Sequence, residues 1–165
     1  MTNAGFAARA HAGGMESSST PPASLVPVAF GRASATHGHL LARTRGSIDD
    51  VIAALTRAIA AAQMLVLHAI DPQRILSAHG YQLPPARQLL LFHPRYMARL
   101  LAIDPAAIVE APLKIAVLTD PDTGEVTARM ADPRVTFGAY AGLCELGEEL
   151  AATSERILAA VGGDP

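Results

Sequence analysis

Apolar side chains recur with a helical period after a polar start at residue 47. The members of the stripe are three or four positions apart, and they are Ile48, Ile52, Leu55 and Ile59. Such spacing predicts the buried face of an amphipathic helix. Ser47 and Asp50 stand at the positions of a capping-box-like pair, which satisfies free N–H groups at a helix start. We therefore predict a helix over residues 47–62.

Shorter apolar runs, bounded by polar residues, glycine or proline, predict strands. They cover residues 39–45, 64–70, 88–92, 113–118 and 125–130. The last two flank the turn sequence 120–124 and predict a hairpin. Asp-Pro starts and apolar spacing predict further helices, which cover residues 72–79, 95–103, 105–111 and 133–161.

The element order is then β-α-β-α-β-α-β-β-α, with residues 95–111 counted as one helical unit. Short connections and an antiparallel hairpin favour a mixed or antiparallel sheet over a parallel one. We predict an α+β fold in a single domain, with helices covering one face of the sheet. Gly142 and Gly147 are candidate interruptions of the last helical region.

The N-terminal 35 residues differ in composition from the rest of the chain. They are rich in Ala, Ser, Gly and Pro, with the run Ser17-Ser18-Ser19-Thr20-Pro21-Pro22 near the centre. Such a segment buries too little apolar surface to offset the entropy lost on ordering. We predict a disordered tail over residues 1–35 and a folded domain over residues 36–165.

Composition narrows the classes of function. Half of the 165 residues are hydrophobic and the net charge is −2, so no basic excess favours nucleic-acid binding. No apolar stretch is long enough to span a membrane and no export signal is evident, so we expect a cytoplasmic protein. The single cysteine, Cys144, excludes an intrachain disulfide. Its neighbours Leu143 and Leu146 predict a buried thiol.

Residues 64–133 resemble the domain of unknown function 302 family. The resemblance rests on the order and spacing of several short pieces, namely Ile70-Asp71, Leu83-Pro84-Pro85, Leu89-Leu90-Leu91-Phe92 with Pro94, Pro112-Leu113-Lys114-Ile115 and Asp132-Pro133. It implies an α+β fold similar in outline to the TATA-box-binding-protein (TBP) fold, and a homodimer. It implies neither DNA binding nor an established activity. Pro72 and His93 stand where the family often has histidine and asparagine.

Lys114 is the first candidate for chemistry, because it is the only lysine and lies within an apolar strand pattern. If both faces of the sheet are covered, its ammonium needs a carboxylate partner or loses its charge. A desolvated lysine can bind an anion or act as a base or nucleophile. A structural ion pair is the alternative, as is an aliphatic stem lying on the sheet with its charge in water.

His93, Met97 and His68 are candidate ligands for haem or a soft metal such as copper, because imidazole and thioether suit both. Their spacing matches no established signature, and a histidine beside a proline is also typical of a turn or a helix cap. Arg95 and Arg99, one helical turn apart, predict an anion patch near His93. Ordinary solvated arginines are the alternative. Carboxylates at Asp71, Asp104 and Glu110 are available, but nothing in the spacing pairs them.

These patterns favour a small binding domain that holds an apolar or anionic ligand against the sheet through Lys114, His93 and Arg95. The first alternative is an enzyme that uses Lys114 with a nearby histidine or carboxylate. The second is a structural or partner-binding domain. An enclosed pocket around the lysine would favour the enzyme, and an exposed apolar patch without a pocket would favour the partner-binding domain.

Overall fold

Four of the five α-helices in the described residues begin after a residue whose side chain accepts a backbone N–H, and the last of the five has no such cap. A computed structural model describes residues 24–31 and 37–162. Its helices are α1 (Ile48–Ala61), α2 (Pro72–Ala78), α3 (Pro94–Ile103), α4 (Pro133–Gly138) and α5 (Cys144–Ala159), with a 3-10 helix at Pro105–Glu110. Ser47 accepts a hydrogen bond from the Asp50 N–H at 3.1 Å, which confirms the predicted cap of α1.

The strands are β1 (Val26–Pro27), β2 (His39–Thr44), β3 (Leu65–Ile70), β4 (Tyr81–Gln82), β5 (Ala86–Phe92), β6 (Leu113–Thr119) and β7 (Val126–Ala131). Five of them form one sheet in the order β2-β7-β6-β5-β3. Every neighbouring pair in it is antiparallel. The predicted α+β class with an antiparallel sheet is therefore confirmed.

Helices α1 and α5 cover one face of this sheet. Their apolar stripes pack on alternate strand residues, and the resulting core includes Leu55, Ile59, Leu89, Ile115, Val117, Ala128 and Ile157. A second cluster lies where α3, α4 and α5 meet, and contains Leu100, Ala107, Phe137, Leu143, Leu146 and Leu150. One face of the sheet is therefore buried. Packing between helices stabilises the end of the fold that contains α3.

A short strand lies within the segment predicted as the tail. Val26 and Pro27 form β1, which pairs in parallel with Tyr81 and Gln82 of β4. Neither strand has an apolar alternation long enough to be seen in the sequence. The tail prediction for residues 1–23 and 32–35 lies outside the described residues.

The last helical region is divided into two helices. Gly142 has a φ of +80°, a left-handed conformation that glycine adopts without steric cost, and it separates α4 from α5. Gly147 lies inside α5 and does not interrupt it. The prediction of a buried thiol was wrong, because Cys144 is exposed. Leu143 and Leu146 beside it face the core instead.

Candidate functional site

The second face of the five-stranded sheet lies opposite the core that α1 and α5 cover. Strand alternation and register place one row of side chains across it, formed by Ile70, Gln88, Ala116, Arg129 and Leu41. These residues are half-buried or exposed, and Leu41 and Leu118 each keep 38% of their surface accessible. We call this surface the open face.

The strands of the sheet are biased towards positive charge. They contain four lysine or arginine residues and no Asp or Glu, although the whole chain has a net charge of −2. Arg87 forms a salt bridge with Asp71, the N-cap residue of α2, with 3.0 Å between the nitrogen and the oxygen. Arg43 is paired with Glu125, at 3.5 Å, in an exposed position. Lys114 and Arg129 supply the remaining positive charges.

Lys114 lies on the open face and is exposed. It is opposite Leu90, and Leu90 is opposite His68 on the next strand, so His68 and Lys114 flank Leu90 on one surface. The Lys114 side chain has no hydrogen bond or ion pair with any residue of 24–31 or 37–162. The structure thus offers neither an enclosed ammonium nor a structural ion pair, but a solvated cation among apolar neighbours.

Arg129 is the functional candidate that sequence reasoning missed. It is opposite Ala116, which shares a strand and a face with Lys114, so the two cations are diagonal neighbours on adjacent strands. Nothing local in the sequence marks this arginine. Its significance depends on the pairing of β6 with β7, and the hairpin register is the one sequence signal that could have revealed it.

His93 and Met97 lie together elsewhere. Both line a small cavity of about 30 Å³ beneath α3, together with Tyr96, Leu100, Pro112, Phe137 and other mostly apolar residues. His93 caps α3, its Nδ1 accepting the Arg95 N–H at 3.1 Å. Lys114 and His68 do not line this cavity. The structure therefore divides the predicted ligand residues between two places, and brings together only two of the three predicted metal ligands.

The cavity is large enough for a water-sized guest and too small for a porphyrin as it stands. Within residues 24–31 and 37–162, no group of three or more His, Cys, Asp or Glu residues is placed to hold a metal ion. The arrangement around His93 thus offers one imidazole and one thioether in an apolar setting.

One arginine of the predicted anion patch already forms an ion pair within the protein. Arg99 binds both carboxylate oxygens of Glu149, at 2.6 and 2.8 Å. This hydrogen bond lowers the pKa of Glu149 and raises the pKa of Arg99. Arg95 is exposed at the start of α3. A free anion patch of two arginines is therefore not formed.

The candidate carboxylates each have a separate partner. Asp71 caps α2 and binds Arg87, and Asp104 accepts the Ala106 N–H at the start of the 3-10 helix. Glu110 accepts a hydrogen bond from the Tyr140 hydroxyl at 2.8 Å, which raises the pKa of Tyr140. No two of these three carboxylates share a bond, so the geometry does not assemble an acid-base pair.

None of the helices in the described residues is both long enough and apolar enough to cross a membrane.

The fold and the open face together define an α+β domain with a one-sided antiparallel sheet. The sequence profile described as "Domain of unknown function DUF302" matches residues 41–161, and the chain belongs to this family. A crystal structure of an uncharacterized conserved DUF302 protein from Bacillus stearothermophilus is similar to it, with 19% identity and a TM-score of 0.67. That similarity covers 76% of this chain and 97% of the other, and it shows the shared fold. A search of the curated proteins finds no significant match.

Proposed function

We propose that this DUF302 chain is a binding domain that holds an anionic, partly apolar small molecule against the open face, with Lys114 as its charged contact. The observation that carries the proposal is an exposed lysine without a partner in residues 24–31 and 37–162, on a sheet whose strands contain no carboxylate. A carboxylate, sulfonate or phosphate group is the chemical complement of such a surface.

The apolar part of the ligand has a matching surface. Leu90 separates Lys114 from His68, and Leu118 and Leu41 are exposed further along the same face. Removing apolar surface from water contributes about 25 cal/mol of free energy per Å². A short alkyl or aromatic group of the ligand lying here therefore adds to the binding free energy of the charged contact. An anion with an apolar tail fits this surface better than a purely ionic ligand does.

The enzyme alternative receives less support from the geometry. A lysine that acts as a nucleophile or base is typically enclosed in a site that excludes water and so favours its neutral form. Lys114 is exposed to solvent, and no carboxylate is present in the strands around it. The haem alternative is limited by the cavity of about 30 Å³ beside His93.

Replacing Lys114 with methionine tests the proposal. We expect the affinity for dodecanoate, used as the probe, to fall about tenfold, because a charged contact contributes about 1.5 kcal/mol. The free energy of unfolding should change by less than about 0.5 kcal/mol, as is usual for exposed positions. Isothermal titration calorimetry and urea denaturation measure the two quantities.

Arg57→Met provides the matched control, since Arg57 is exposed on α1 on the opposite side of the sheet. It should leave dodecanoate binding unchanged, and Lys114→Arg should largely preserve it. Dodecanol should bind the wild type and Lys114→Met equally. Equal dodecanoate affinity of wild type and Lys114→Met would refute the role of Lys114.

We also propose that the domain is cytoplasmic and that it is a homodimer, the second of which the family resemblance implies. Contact between two open faces would bury the exposed ammonium of Lys114 in each copy, and the strands of the sheet contain no carboxylate to pair with it, which is unfavourable. Another surface is therefore the better candidate for self-association. Light scattering on the eluting protein should give about twice the chain mass of 17.2 kDa. A mass equal to one chain at micromolar concentration would contradict the dimer.

A further inference from the structure

Strand β2 forms an edge of the sheet. It pairs with β7 on one side, and no strand of the described chain pairs with it on the other. Alternate residues of an antiparallel edge strand direct their N–H and C=O groups outwards. β2 contains no proline that would remove a donor. The opposite edge, β3, has an irregularity between Val66 and His68, a common protection against pairing.

A groove runs along this unprotected edge. Its volume is about 880 Å³, within the usual size range of ligand sites. All of residues 40–45 line one side, and the other side is formed by Leu158 and Ala159 at the C-terminal end of α5 and by Gly162 just after it. The unpaired backbone N–H and C=O groups of β2 therefore lie beside the groove along nearly the whole strand.

The charges around the groove favour an acidic group at one end. Glu125 is paired with Arg43, and Glu155 is paired with Arg134. Arg45 is exposed and has no ion pair with any described residue. The groove thus has an available positive charge where β2 ends, while both of its carboxylates are engaged.

The same charges disfavour a second copy of the chain as the occupant. Pairing β2 with a second β2 would leave Arg45 of both copies without a counter-ion, because His39–Thr44 contains no carboxylate. A foreign segment can provide the missing carboxylate.

We propose that β2 and this groove bind an extended peptide segment of a partner protein by strand addition. Main-chain hydrogen bonds to the edge supply affinity, and alternate side chains that enter the groove supply selectivity. The segment pairs antiparallel over about six residues, the length of β2, with small apolar side chains towards α5. Its N-terminal residue is acidic, because antiparallel pairing places that end beside Arg45.

The probe is a fluorescein-labelled peptide with an N-terminal Asp followed by alternating Val and Thr. Saturable binding to the full chain is expected in fluorescence anisotropy. Two further peptides carry N-methyl groups on alternate residues. In one of them the methylated amides would face β2, and in the other they would face away from it. One of them should bind like the parent and the other should lose about tenfold or more, since each lost hydrogen bond costs about 1 kcal/mol. Equal binding of the two methylated peptides would overturn strand addition.

Two substitutions on α5 locate the site. Ala159→Arg places a long side chain in the groove and should weaken binding at least about tenfold. Ala152→Arg is the matched control, exposed on the same helix and outside the groove, and should not weaken binding. Arg45→Glu should weaken the Asp peptide and favour its Lys counterpart. Equal effects of the two α5 variants, or no saturable binding at all, would refute the proposal.

A second copy as occupant has its own signature. If Ala159→Arg changes the scattering mass from two chains to one while the peptide fails to bind the wild type, the groove is a dimer contact and the peptide proposal is wrong. Circular dichroism and the melting temperature of each variant verify folding. Lys114→Met should leave peptide binding unchanged, because Lys114 does not line the groove.

Discussion

Replacing Phe137 with alanine is expected to lower the free energy of unfolding by about 3–5 kcal/mol, the usual range for truncating a buried aromatic side chain. Phe137 keeps 1% of its surface exposed and packs among residues of α3 and α5, in the cluster that includes Leu100, Leu146 and Leu150. It also lines the cavity of about 30 Å³ beneath α3. The truncation therefore enlarges an existing void, and a larger residual void means a larger loss.

Urea denaturation followed by circular dichroism measures this loss. Val135→Ala is the matched control on the same helix, because Val135 is 62% exposed and should change stability by less than about 0.5 kcal/mol. Benzene should raise the melting temperature of Phe137→Ala and leave that of the wild type unchanged, since an apolar cavity can bind an apolar guest. A loss below about 1 kcal/mol would show that α3, α4 and α5 do not pack as described.

The local elements could be predicted because short-range chemistry determines where they start. Asp71, Asp104 and Asp132 each precede a proline, and each accepts a backbone N–H from a residue two or three positions later. An aspartate cap followed by proline at the first helical position is a local signal. The strand runs were equally local, because alternation of side chains needs no knowledge of the neighbouring strand.

The arrangement of the candidate site could not be predicted, because it depends on which face of the sheet is covered. Lys114 and His93 are close in the strand order, since β5 pairs with β6. Yet Lys114 lies on the open face while His93 caps α3 beside a separate cavity. The alternation of residues along a strand assigns them to two faces, but it does not show which face packs against the helices. Arg129 and the β2 edge were missed for the same reason, since both depend on long-range pairing.

Replacing Gly147 with alanine is expected to destabilise the protein by about 1–3 kcal/mol through overpacking, although helix propensity alone predicts a gain of about 1 kcal/mol. Gly147 is buried inside α5. A Cβ atom there would lie 2.9 Å from the backbone oxygen of Pro133 and 3.3 Å from the Cβ of Phe137. Both neighbours belong to α4, so the two helices must separate to admit a methyl group.

Gly138→Ala separates the two effects, because a Cβ atom at Gly138 meets no other atom within 4 Å. It should be neutral or stabilise the protein by about 0.4–1 kcal/mol, since alanine reduces the entropy of the unfolded chain. Urea denaturation of both variants measures the change in the free energy of unfolding. It compares a glycine in close contact with a neighbouring helix with a glycine that has open space around it. Stabilisation by Gly147→Ala would mean that α4 lies further from α5 than the 2.9 Å approach requires, and the expected loss on truncating Phe137 would decrease with it.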